Sequence, residues 1–171
     1  KRYWRKLAEA QNEVGDLQGS AKSYAELFRI DNKDARIAIK ISELYSENGN
    51  HSQALKWSET AIDLDRNSGE TFAQKGWVYF NGWEELGSLE NIRADDKLVL
   101  KLASNYFIKA EDKGYTGDGL NKLKWLQENK LSFGKEDWFM LDASVKNKGK
   151  VYLSLSDYDW IKEPLKKEPG W

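Results

Sequence analysis

Tyr24-Ala25-Glu26-Leu27-Phe28-Arg29-Ile30-Asp31-Asn32 and Ser58-Glu59-Thr60-Ala61-Ile62-Asp63-Leu64-Asp65-Arg66 carry one pattern, 34 residues apart. Val14-Gly15-Asp16-Leu17 and Asn48-Gly49-Asn50-His51 punctuate the chain at the same interval. A fixed period in this range signals stacked supersecondary units, each too small to bury its own apolar face. Such a stack presents an extended surface instead of a single deep pit.

Working outward, the spacing predicts paired helices over 2–14 and 19–31, then 35–48 and 52–65, with 69–82 opening a third unit. Gly15 and Gly49 sit where the first helix of each pair must stop, a place that favours the left-handed backbone glycine tolerates. Ala8/Ser20, Ser42/Ala54 and Gly76/Ala103 are small pairs placed where two helices cross. Asn81-Gly82 reads as a helix stop, followed by an insertion, 83–97. Asp95 and Asp96 then offer an N-cap for a helix at about 97–112.

This register resembles the tetratricopeptide repeat (TPR) family, a helix–turn–helix unit of the same length. The resemblance rests on Trp4, Leu7, Ala8, Gly15, Ser20 and Tyr24 in the first unit. In the second it rests on Ile41, Ser42, Tyr45, Gly49, Ala54 and Ala61, and in the third on Phe72, Gly76 and Tyr79. Ala103, Phe107 and Ala110 resume the pattern after the insertion; Gln11, Ser58 and Lys75 depart from it. Residues 101–126 also resemble the Sel1-like variant. The implied fold is an all-α solenoid with repeats at 1–34, 35–68 and 69–115, a capping helix at 118–129 and a helical domain over 1–130.

The last forty residues change character. Asp137–Val145 and Val151–Trp160 favour strands, and Lys146-Asn147-Lys148-Gly149-Lys150 suits a hairpin turn. The expectation is a small C-terminal β-hairpin within 131–171, with 135–145 as a helix the alternative and 161–171 a mobile tail. The segment is loosely similar to tails of Bacteroidetes-type TPR proteins, which implies a bacterial source. The chain opens at Lys1 without Met, as a processed chain or one cut from a longer array would.

Composition narrows the function. A net charge of −1 leaves no electrostatic footprint for nucleic acid. No apolar run approaches a membrane span, and 32% charged residues suit a soluble chain of amphipathic helices. The absence of Cys excludes thiol chemistry and leaves cytoplasm and periplasm both open. With one histidine, His51, no zinc site or Cys/His dyad can be assembled within the chain. His51 reads as a packing residue, and Glu84-Glu85 and Asp95-Asp96 as solvated charge. No catalytic set and no cofactor are expected.

By the resemblance, a ligand lies in a concave groove lined by the first helix of each repeat. The corresponding residues are Arg2, Arg5, Lys6 and Glu9, then Arg36, Ile39, Lys40 and Glu43, then Ala73, Trp77, Phe80 and Asn81. Trp77 and Phe80 would form an exposed aromatic pair that anchors the partner. Where carboxylate-clamp members of the family carry Lys, Asn, Lys and Arg, this chain has Arg5, Glu9, Glu70 and Gln74, so chaperone C-termini are not the expected ligand. The expected function is a non-enzymatic protein–protein interaction scaffold that binds a peptide segment or partner helix. The alternative is a structural subunit that self-associates through its Trp-rich C-terminal hairpin.

Overall fold

A computed structural model describes all residues, 1–171. Six helices make three antiparallel pairs: α1 (Arg2–Glu13) with α2 (Leu17–Ile30), α3 (Ala35–Glu47) with α4 (His51–Leu64), and α5 (Gly69–Leu86) with α6 (Ala94–Glu111). A seventh, α7 (Gly119–Glu128), begins a fourth unit, and each second helix packs on the next first helix. The chain is therefore an all-α solenoid.

The punctuation works as its chemistry requires. Gly15 (φ 79°) and Gly49 (φ 70°) adopt the left-handed backbone that ends α1 and α3. One residue later, Asp16 and Asn50 cap the second helices, accepting from the Gly19 and Gln53 N–H groups. Asp34 caps α3 through the Arg36 N–H. The small pairs meet at the crossings: Ser20 Oγ donates to the Ala8 carbonyl and Ser42 Oγ to the Ala54 carbonyl, both at 2.8 Å.

At the third crossing, a Cβ on Gly76 would lie 2.8 Å from the Phe107 ring and 3.3 Å from the Ala103 oxygen. Gly76→Leu should therefore cost about 1–3 kcal/mol by overpacking, read as a lower midpoint in urea with an unchanged slope.

Three expectations fail here. Helix α5 does not stop at Gly82 but continues to Leu86, so most of the expected insertion is helical and the connection is only 87–93. Gly82 serves packing instead of termination: a Cβ there would lie 2.6 Å from the Trp160 ring. Neither Asp95 nor Asp96 caps α6 from outside, because the helix already starts at Ala94. Asp96 instead reaches back to the Arg93 N–H at 2.8 Å, while Asp95 accepts the Ser154 and Leu155 N–H groups, both at 2.6 Å. These buried carboxylates bind backbone, so they are not solvated charge.

The third failure is in the C-terminal stretch. Residues 137–145 form no strand: α8 (Lys135–Met140) and a 3₁₀ turn (Ala143–Val145) occupy them, which is the helical alternative. The turn forms where expected, with Lys148 (φ 49°) and Gly149 (φ 74°) both left-handed between Asn147 and Lys150, the backbone of a type I′ hairpin turn. The flanking strands do not extend from it. Instead β1 (Lys150–Val151) pairs antiparallel with β2 (Leu165–Lys166).

Residues 161–171 are docked, not mobile. Ile161 and Leu165 are buried, and the Trp171 ring lies 5.9 Å from Phe133 and 5.8 Å from Trp138. Residues 150–171 thus form a strap across α4, α5 and α6. Its Tyr158, Ile161 and Leu165 join Tyr79, Phe80, Leu100, Phe107 and Leu126 in one core.

Candidate functional site

The first helices of successive units, α1, α3, α5 and α7, supply the face on which a groove was expected. On α1, Arg2, Arg5, Lys6 and Glu9 are exposed, and none of them is in an ion pair. On α3, Arg36 is exposed but held by Asp34 at 3.0 Å, Lys40 pairs with Glu43 at 3.1 Å, and Ile39 is half-buried.

Arg5, Glu9, Lys40 and Glu43 converge electrostatically on one side chain absent from the expected set, Tyr24 of α2. Its phenol is pushed above its usual range by burial first and by Glu9 next, with Lys40 and Arg5 opposing. It stays a neutral donor between two positive and two negative groups. An open cavity of about 490 Å³ lies between the starts of α3 and α5. Arg36 and Ile39 line that cavity with the carboxylates Asp31, Asp34, Asp65 and Glu70.

The third repeat departs from expectation. Ala73 is buried, Gln74 turns inward to Ser42 Oγ at 3.0 Å, and half-buried Asn81 reaches Ser46 Oγ at 3.3 Å. Phe80 is only 1% exposed, so the exposed aromatic pair does not exist. The cause is α7, which lays Lys122 over the Phe80 ring at 4.7 Å and Trp125 against it at 6.3 Å. Trp77 is half-buried, edge-on to Phe80 (5.9 Å) and Phe107 (5.4 Å). Trp77→Ala should therefore lower stability by about 2–3 kcal/mol, below the cost of a fully buried tryptophan, as measured by urea unfolding.

Sequence reasoning missed a second cavity, about 340 Å³, lined by Phe80, Trp83, Glu84, Gly87, Leu89, Lys122 and Trp125. The expected insertion, 83–97, begins at Trp83. A signal was present: Tyr79 and Phe80 place Trp83 at i+4 and i+3, the period of a continuing helix.

His51 is buried, as a packing residue should be, with Nε2 2.7 Å from Glu85 Oε2 and its ring 5.3 Å from Trp160. Its Nδ1 has no partner. A His–carboxylate pair works in nucleophilic catalysis only when the other ring nitrogen faces a hydroxyl or thiol, and none does so here. No helix is long and apolar enough to cross a membrane.

No family model matches the chain, and a search of curated proteins found none that matches it. Solved structures are similar in shape. One is the crystal structure of the Sgt2 TPR domain from Aspergillus fumigatus, with a TM-score of 0.56 and 16% sequence identity. The likeness covers 75% of this chain and 78% of that one. At this identity it speaks to architecture alone: the chain has the fold of a tetratricopeptide-repeat domain.

Proposed function

We propose that the protein is a non-enzymatic interaction scaffold that holds a peptide segment or partner helix against its first-helix face. The observation that carries this reading is the asymmetry of the two faces. The strap covers α4, α6 and the side of α5 that meets them, where Glu163 accepts from Tyr106 of α6 and Tyr79 of α5, and the Trp160 ring stacks on Tyr79 and lies 5.3 Å from His51 of α4. The first-helix face keeps its unpaired Arg2, Arg5, Lys6 and Glu9, with Tyr24 among the charges. Helical repeats bind partners along such extended faces, and opposed charges set register and partner choice.

The test is affinity capture with wild-type protein and with the charge-reversed variant Arg5→Glu/Lys40→Glu, helicity being checked by circular dichroism. The expected result is a defined partner whose binding the reversal weakens by about 2 kcal/mol or more. Equal recovery of the same partners by a folded variant would move the site elsewhere.

A second reading, self-association, is favoured by one observation. Phe139 (61% exposed) and Met140 (87% exposed) stand side by side on α8. The tryptophans of this region do not offer that surface, since Trp138 is buried and Trp160 and Trp171 pack on the core. Sedimentation equilibrium would detect a dimer that Phe139→Glu abolishes; a monomer mass at every concentration would rule the reading out.

A further inference from the structure

The cavity between α5 and α7 has features that packing of the fold does not account for. Helices α5 and α7 are successive first helices, so the cavity opens at the C-terminal end of the face proposed to bind a partner. Phe80, Trp83 and Trp125 wall it, with ring centroids 5.7 Å (Phe80–Trp83), 6.3 Å (Phe80–Trp125) and 6.4 Å (Trp83–Trp125) apart. Its volume of about 340 Å³ exceeds that of any single side chain and falls within the range of ligand sites, which are mostly apolar with a few placed polar groups. Leu89, on its rim, is 56% exposed, although an isoleucine three residues on, Ile92, packs against the core.

Two polar groups at this cavity are incompletely satisfied. Trp83 is buried and its Nε1 donor, shut from solvent, has no partner, as is true of Trp160 Nε1 elsewhere in the core. Gly87, which lines the same cavity, packs on that donor, and a Cβ there would lie 2.4 Å from Nε1. The Lys122 ammonium has only a loose carboxylate neighbour, Glu84 at 3.9 Å, and otherwise lies over the Phe80 ring.

We propose that this cavity is the anchor pocket of the binding face, and that it takes a leucine-sized aliphatic side chain of a partner peptide with a carboxylate beside it. The aromatic walls and Leu89 take the side chain. Lys122 takes the carboxylate. An added cation is disfavoured because Lys122 already occupies the Phe80 face. The proposal rests on the peptide-binding reading of the same face and names the chemistry of its ligand.

The test needs no identified partner. Indole N–H signals of the ¹⁵N-labelled full chain are followed while N-acetyl-leucine is added to about 20 mM; a ligand of this size that fits binds with a Kd of a few millimolar. The Trp83 and Trp125 signals are expected to shift saturably, with the other tryptophans still. N-acetyl-leucine methylamide, lacking the carboxylate, should bind several-fold more weakly, and Lys122→Gln should abolish that difference. Leu89→Ser, an exposed rim change that the fold tolerates, should weaken N-acetyl-leucine severalfold. No saturable shift, or an equal response to N-acetyl-glutamate or N-acetyl-lysine methylamide, would overturn the proposal. The two readings remain separable. Arg5→Glu/Lys40→Glu lies outside the pocket and should leave N-acetyl-leucine binding unchanged, so a partner sensitive to that reversal beside a silent pocket would sink only the pocket.

Discussion

Replacing Glu163 by Ala is expected to destabilise the protein by about 3 kcal/mol at neutral pH, the lower end of the cost of removing one partner of a buried ion pair. Glu163 enters a socket from the strap. Its carboxylate accepts from the Tyr79 hydroxyl at 2.8 Å and the Tyr106 hydroxyl at 3.0 Å, and Lys75 Nζ lies 3.0 Å away. Lys75 is only 5% exposed, and its remaining partner is Glu59 at 2.9 Å. Burial and the adjacent Glu163 push the Tyr79 phenol far up, so it remains a donor. Removing Glu163 strands two phenols and half-strands a buried ammonium. Glu163→Gln keeps an acceptor and should cost about half as much.

The pH dependence separates charge from shape. Burial raises the Glu163 carboxyl, but the Lys75 charge and the Tyr79 hydrogen bond outweigh it and hold the group below the usual carboxylate range. A carboxyl depressed in the folded state contributes its stability above the unfolded value. That contribution is lost as pH falls from about 4.5 through the lower folded value. Thermal unfolding followed between pH 7 and pH 2 should therefore show a smaller acid-induced drop in Tm for Glu163→Gln than for wild type. Equal drops would place the acid sensitivity elsewhere.

The repeat was legible because its evidence is local and repeated. Gly15 and Gly49, Asp16 and Asn50, Ala8/Ser20 and Ser42/Ala54 each act within one helix pair, so period and residue size sufficed. The strap was not legible, since its energetics are long-range. Ser154 meets Asp95 across 59 residues of sequence and Glu163 meets Tyr79 across 84, and nothing in the local pattern at Trp160 announces that Gly82 leaves room for it. Lys75 stood out only as a mismatch in the repeat, yet it is the charge that the strap neutralises. The site divides the same way. Arg5, Glu9, Lys40 and Glu43 follow from register, whereas Phe80 is covered by α7, an element whose approach depends on Gly119. A Cβ at that glycine would lie 2.7 Å from the Phe107 ring.

Asp96→Ala should be the more damaging change, about 4 kcal/mol, because it removes a carboxylate with no exposure at all and leaves its charged partner behind. Asp96 accepts the Arg93 N–H at 2.8 Å, Arg93 Nε at 2.9 Å and Nη2 at 3.0 Å, and the Tyr158 hydroxyl as well. Arg93 also donates to Asp157 at 2.8 Å and to the Leu86 carbonyl at 3.3 Å. One carboxylate therefore joins the end of α5, the start of α6 and the 3₁₀ turn of the strap (Ser156–Tyr158). Burial raises its pKa, but the Arg93 and Tyr158 hydrogen bonds prevail and hold it below the usual range. Its contribution is therefore complete at neutral pH and is lost on acidification through that lowered value. Asn in its place keeps one acceptor but turns an amide donor towards Arg93, so Asp96→Asn should recover less than half of the loss. Tyr158→Phe alone should cost about 1.5 kcal/mol, the loss of one hydrogen bond to a charged group. The double variant Asp96→Ala/Tyr158→Phe should fall short of the sum by about 1 kcal/mol, since both changes break one bond. Urea unfolding of the four proteins measures that coupling, and strict additivity would mean that the Tyr158 hydroxyl does not hold the strap through Asp96.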